Sequence, residues 1–146
     1  MLLRNFFNKF PNQRHYNNIV LAIDSHQNDL DYISQTALQG GFNVLKSTTG
    51  AEGLVLAKRY NPDLIIIDFE LPDMKEEEFF KEIKQEQKLS NVPVLVVSTL
   101  NNPNDIIDAY EWGVENYLIK PISKKFLFSE MQRLIQERHQ TRLGHG

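Results

Sequence analysis

Asn61-Pro62-Asp63-Leu64-Ile65-Ile66-Ile67-Asp68-Phe69-Glu70-Leu71-Pro72 is the stretch whose reading decides the fold. From Leu64 to Ile67 it sets four large apolar residues in a row, three of them β-branched, between a Pro-Asp turn signal and a carboxylate. Nothing polar alternates with them, so the strand they predict is buried on both faces, as in a parallel sheet. Asp68 then stands at the strand's carboxyl end. In an open parallel sheet that end borders the ligand crevice, which leaves a carboxylate there available for chemistry. The same residue also fits a plain loop cap, and this stretch alone does not choose.

Working outward, Ile19 to Ile23 repeats the design and stops at Asp24, which brings a second carboxylate to the same crevice. A helix over 28–39 follows, with Leu30, Ile33, Ala37 and Leu38 on one face and Gly40-Gly41 as its left-handed end. Residues 42–47 give another strand. Thr49-x-x-Glu52 is a capping-box pattern opening a helix expected to turn Ala51, Leu54, Val55 and Tyr60 inward. Downstream of Pro72, a helix over 75–87 buries Phe79, Phe80 and Ile83, and a strand over 93–97 ends at Ser98-Thr99. Asn102-Pro103 reads as an N-cap followed by proline at the first helical position, with Ile106, Ile107 and Tyr110 lining the helix until Gly113 stops it. A strand over 116–119 closes with Lys120-Pro121, and Ser123 can cap a last helix with the stripe Leu127, Met131, Leu134, Ile135. That helix has no breaker until Gly144.

Five strands alternating with five helices through short loops call for right-handed crossovers. The predicted fold class is α/β: a doubly wound five-stranded parallel sheet with helices on both faces, in the flavodoxin-like order 2-1-3-4-5. Its 146 residues suit one domain, expected over 19–138, between an extension over 1–18 and a tail over 139–146. The extension carries Phe6, Phe7 and Phe10 beside Arg4, Lys9 and Arg14, which fits either a weak amphipathic anchor or an arm packed on its own domain.

A net charge of −3 with both signs dispersed argues against nucleic-acid binding. The absence of cysteine excludes disulfides, thiol catalysis and cysteine-held metals. His15, His26, His139 and His145 are scattered without ligand-like spacing. With no secretory signal and no apolar stretch long enough for a membrane span, a cytoplasmic protein is expected.

The strand ends collect Asp24, Asp68, Ser98 and Lys120. Two carboxylates can hold a hard divalent cation, the hydroxyl can bond a phosphoryl oxygen and the ammonium can neutralise another, so an aspartyl phosphate could form there. Each residue alone also has a structural explanation. Their joint placement is the evidence.

Over about residues 19–138 this order resembles the receiver domain of two-component response regulators: Asp24, then Asp68 followed by Leu71-Pro72-Asp73-Met74, then Ser98, Tyr117 and Lys120-Pro121. The resemblance implies that Asp68 accepts phosphate from a histidine kinase or phosphotransfer protein, with Mg2+ held by Asp24, Asp68 and the backbone carbonyl of Glu70. It implies that Ser98 and Tyr117 act as the switch, Ser98 moving toward the phosphate and Tyr117 turning inward. A downstream protein partner would then meet the face made by the fourth helix, fifth strand and fifth helix, and a cis Lys120-Pro121 bond is implied as well.

The sequence departs from that family in three places. Ser25 stands where a second acid is usual, which weakens the expected Mg2+ site and leaves the Glu70 side chain as either a substitute ligand or a solvent-facing residue. Glu76 replaces a usual glycine, implying a slightly altered loop, and Thr99 is larger than the usual small residue and could narrow phosphate access.

The function expected is a single-domain phosphorylation switch, not an enzyme, with its output on its own surface and a homodimer possible. The alternative is a pseudo-receiver, a phosphorylation-independent interaction module, favoured by Ser25. An aspartyl-phosphate phosphatase is a third class, but its nucleophile belongs on an early strand with a second Asp two residues on, and here Glu70 stands there. Phe126, Phe128 and Trp112 are candidates for a partner patch or for core.

Overall fold

A computed structural model describes residues 18–144, which include Asn18 but no other part of the predicted N-terminal extension. The elements run β1 (Ile19–Ile23), α1 (Gln27–Gln39), β2 (Asn43–Ser47), α2 (Gly50–Tyr60), β3 (Leu64–Ile67), α3 (Glu76–Gln85), β4 (Val94–Ser98), α4 (Pro103–Glu111), β5 (Asn116–Ile119) and α5 (Lys124–Gly144). All strand pairs are parallel, in the order β2-β1-β3-β4-β5, which is the doubly wound arrangement read from the alternating elements. Helix α5 passes position 138 unbroken.

The buried strands divide their side chains by the two-residue period of extended chain. Leu21, Ile23, Ile65, Ile67, Val94 and Val96 pack with Leu54, Ala57, Phe79, Phe80, Ile83 and Ala109, the core beneath α2, α3 and α4. Val20, Ala22, Leu64, Ile66, Leu95 and Val97 pack with Leu30, Ile33, Ala37, Leu127, Met131 and Leu134, the core beneath α1 and α5. Polar residues are absent from these runs because neither face of the three central strands meets water.

Caps fix where the helices begin and stop. Thr49 accepts a hydrogen bond from the Glu52 N–H, and Asn102 accepts one from the Asn104 N–H ahead of Pro103. Asp73, from the loop after β3, adds its carboxylate to the Gly50 and Ala51 N–H groups at 2.8 and 2.9 Å, where the α2 dipole favours negative charge. The hydrogen bonds hold the Asp73 carboxyl below the usual value despite the opposing effect of burial. Gly41, not Gly40, takes the left-handed conformation after α1, and Gly113 takes it after α4.

Several expected inward residues face solvent instead. Leu38 on α1, Ala51, Val55 and Tyr60 on α2, and Ile107 and Tyr110 on α4 are exposed. In α2 the inward stripe is Gly53, Leu54 and Ala57, and a Cβ on Gly53 would run into the buried Ile23 side chain, so glycine lets the helix come this close. In α4 the stripe is Ile106 and Ala109, one step around from the larger residues. Glu76 opens α3, whose N-cap Lys75 has φ −78°, and Glu76 is not among the positive-φ residues, so no glycine is required there.

The end of the sheet opposite the crevice is fastened by Asp63. It accepts from the Ile19 N–H at 2.9 Å and lies 3.8 Å from Arg138 Nε and 3.6 Å from His139 Nε2 on α5. Burial disfavours its charge, but His139, the Ile19 N–H and Arg138 outweigh that and hold the carboxyl below the usual 3.8. A carboxyl depressed by folding stabilises fully above its unfolded value, and that stability is lost as pH falls through the folded value. Asp63→Asn is therefore expected to cost about 1.5 to 3 kcal/mol at pH 7. Urea unfolding at pH 7 and pH 3 should show the gap between variant and wild type narrowing toward the acid end.

Candidate phosphoryl-acceptor site

Strand register, not loop conformation, brings the site together. Ile23 pairs with Ile67, so Asp24 and Asp68 leave adjacent strands at the same level, and the Asp68 N–H donates to the Ile23 carbonyl at 2.9 Å. Ser98 pairs with Ile119, so Lys120 follows one residue beyond the hydroxyl. The peptide bond between Lys120 and Pro121 is cis.

Asp24 is 0 % and Asp68 1 % exposed, burial that a carboxylate tolerates only with partners. Lys120 Nζ supplies them, at 2.8 Å from Asp24 Oδ2, 2.6 Å from Asp68 Oδ2 and 2.8 Å from Asp29 Oδ2. The other Asp68 oxygen, Oδ1, accepts from Ser98 Oγ at 2.9 Å and from the Glu70 N–H at 2.9 Å. Burial alone would lower the pKa of the Lys120 ammonium, but Asp24, Asp29 and Asp68 together raise it above the usual lysine value. The structure thus draws Asp24, Asp68, Ser98 and Lys120 into one hydrogen-bonded group.

Tyr117 lies inward, its ring edge-on to Phe69 at 5.4 Å between centroids and its hydroxyl donating to the Leu100 carbonyl at 2.7 Å. Burial pushes its phenol up. Ser25 turns its hydroxyl to the Glu70 carbonyl at 3.4 Å, tying together the loops after β1 and β3. Thr99 is exposed and lines a cavity of about 410 Å³ beside Lys120, with Asp29, Tyr32 and Ile122.

Two members of the site escaped the sequence reading. Asp29, in the first turn of α1, is the third carboxylate on Lys120. His26 is not one of a scattered set: its Nδ1 lies 3.2 Å from Asp24 Oδ1 and 3.9 Å from Asp68 Oδ2. The available signal was its position two residues beyond a strand-end aspartate, not its spacing from other histidines. The Glu70 side chain stands outside this trio, with Oε2 3.9 Å from His26 Nε2.

Asp24, His26 and Asp68 each offer a ligand atom, all within 4.8 Å of one another, so the donor set suits a divalent cation. No helix among the described residues is long and apolar enough to cross a membrane.

Comparison with known proteins agrees with this geometry. A family model described as the response regulator receiver domain matches residues 20–132. The sensor histidine kinase CheAY of Helicobacter pylori is 32% identical over 120 residues, covering 81% of this chain but 15% of that protein. The polar-differentiation response regulator DivK of Brucella ovis is 28% identical over 104 residues, covering 71% of this chain and 85% of that one. The chain spans 15%, 46% and 48% of the first three curated relatives. Among solved structures, the chemotaxis response regulator CheY4 of Vibrio cholerae superposes with a TM-score of 0.74 at 28% identity, covering 80% of this chain and 97% of that one. With its strand order, its strand-end group and this match across most of its length, the chain belongs to the response regulator receiver domain family of two-component systems.

Proposed function

We propose that this chain is a phosphorylation-operated receiver in which Asp68 accepts a phosphoryl group from a histidine kinase or phosphotransfer protein. The observation that carries the reading is that one buried carboxylate has a hydroxyl on one oxygen and an ammonium on the other. An Asp68 oxygen forms the new O–P bond as the donor's N–P bond breaks, and the departing imidazole keeps the electron pair and takes up a proton. Lys120 and Ser98, already within hydrogen-bond reach of Asp68, are placed to turn toward phosphoryl oxygens and neutralise their charge.

Asp24, Asp68 and the Glu70 carbonyl oxygen would hold Mg2+, and Ser25, a hydroxyl in place of an acid, makes that site weaker than a three-carboxylate one. When bound, the ion draws negative charge off the transferring group. A downstream protein or a second copy of the chain would dock on α4, β5 and α5. Ile107, Tyr110, Ile119 and Phe126 are exposed there, and Tyr110, Asn116 and Glu130 link the three elements by hydrogen bonds. Phe128 and Trp112 are not in that patch: Phe128 packs on Phe42, and Trp112 packs on Phe69 and Phe80.

Incubation with acetyl phosphate should add one phosphoryl group to the intact mass, dependent on a divalent cation and lost in Asp68→Asn. No gain in a folded wild type, with a control receiver labelled alongside, would favour the phosphorylation-independent interaction module to which Ser25 points.

A further inference from the structure

We propose that the cation centre at the crevice is completed by the His26 imidazole and prefers a first-row transition ion such as Co2+ or Zn2+ over Mg2+. The inference rests on the reading of Asp24 and Asp68 as residues that share one cation. It goes beyond that reading in assigning a nitrogen ligand and a different class of metal.

Three observations carry it. First, the Nδ1 edge of the ring faces both buried carboxylates, and the three ligand atoms lie within 4.8 Å of one another. Second, the ring is presented by fixed backbone: His26 is the N-cap of α1, and its N–H donates to Asp24 Oδ1 at 2.9 Å. Its outer nitrogen, Nε2, lies 3.9 Å from Glu70 Oε2, longer than a hydrogen bond. Third, Ser25 brings no carboxylate, and its hydroxyl is turned to Glu70, so charged oxygen donors in the loop after β1 are reduced to Asp24.

The electrostatics leave room for a dication. Asp24, Asp29 and Asp68 surround the single ammonium of Lys120, a formal charge of −2 across these four side chains. Which dication is favoured follows from ligand chemistry. Mg2+ demands near-octahedral oxygen coordination and gains nothing from an imidazole, whereas Co2+, Ni2+ and Zn2+ accept mixed nitrogen and carboxylate sets. The bland alternative is that His26 only hydrogen-bonds Asp24 from a half-exposed position, its side chain being 53% exposed. In that case removing the ring would not discriminate between metals.

The test is isothermal titration of the unphosphorylated protein with Mg2+, Co2+ and Zn2+ separately, on wild type, His26→Gln and His26→Asn. Both substitutions keep the backbone N–H that bonds Asp24, and far-UV circular dichroism confirms the fold of each. Wild type is expected to bind Co2+ and Zn2+ more tightly than Mg2+. Both variants should lose about 10- to 100-fold in Co2+ and Zn2+ affinity while Mg2+ affinity stays within about 2-fold. In the Zn2+-loaded wild type, the His26 Nδ1 resonance in imidazole nitrogen NMR should shift, and those of the other histidines should not. Unchanged Zn2+ affinity in the variants, an equal loss for all three ions, or a shift confined to another histidine would overturn the assignment. Because binding is read without phosphorylation, these outcomes stand apart from success or failure of phosphoryl uptake.

Discussion

Lys120→Met is expected to lower the unfolding free energy by about 3 to 5 kcal/mol, because it strips the cation from buried carboxylates without replacing their partner. Methionine keeps the stem's packing, so the effect isolates the charge. Asp24 and Asp68 are almost fully buried and Lys120 Nζ touches both, which leaves two uncompensated anions in the folded state of the variant. The contribution is present in full at neutral pH. A lysine whose pKa is raised by folding stabilises below its unfolded value, near 10.5, and that stability is lost only as pH rises through the folded value. Urea unfolding at pH 7 reads the loss. Added divalent cation should recover part of it, since the ion supplies the charge that was removed, and a variant as stable as wild type without cation would contradict the electrostatic account.

The second large effect lies at the residue that follows Asp68. Phe69→Ala should cost about 3 to 5 kcal/mol, the range for truncating a buried aromatic. Phe69 is buried, and its ring meets Phe80 at 5.9 Å, Trp112 at 6.0 Å and Tyr117 at 5.4 Å between centroids. It therefore joins the loop after β3 to the end of α4 and to β5. Removing it opens a cavity beside Trp112, the only tryptophan, so the loss of stability should come with a red-shifted emission spectrum in the folded protein. An unshifted spectrum would mean that the ring is not the link between these elements.

The centre of the sheet was legible because β1, β3 and β4 are built on apolar runs, and a run such as Leu64 to Ile67 has no other comfortable place than between two layers. Strand ends were legible for the same reason: the first polar residue after each run marks the crevice, which is how Asp24, Asp68 and Lys120 could be collected from the sequence. Helix faces were harder. Adjacent positions differ by about 100° around a helix, and where Val55 competes with Gly53, or Ile107 with Ala109, hydrophobicity favours the wrong neighbour. The small residue faces the sheet because it permits close approach, and closeness is a property of the partner surface, which the sequence of one helix does not carry.

The site residues that were missed have a related cause. Asp29 and His26 lie on the turn into α1 rather than at a strand end, and they reach the crevice only because that helix starts directly above it. Asp73 was read as part of a motif, while the structure gives it the N-terminus of α2, at the Gly50 and Ala51 N–H groups. Such a contact between loops distant in sequence has no local signature.

The central claim is that the phosphoryl group resides on Asp68. Borohydride reduces an acyl phosphate of aspartate to homoserine, so treating the acetyl-phosphate-labelled protein with borohydride and mapping its peptides reads the position directly. The account predicts homoserine at position 68 and at no other aspartate, including Asp24 and Asp29. Homoserine at either of those positions, or a phosphoryl group that survives borohydride on His26 or Ser98, would contradict it.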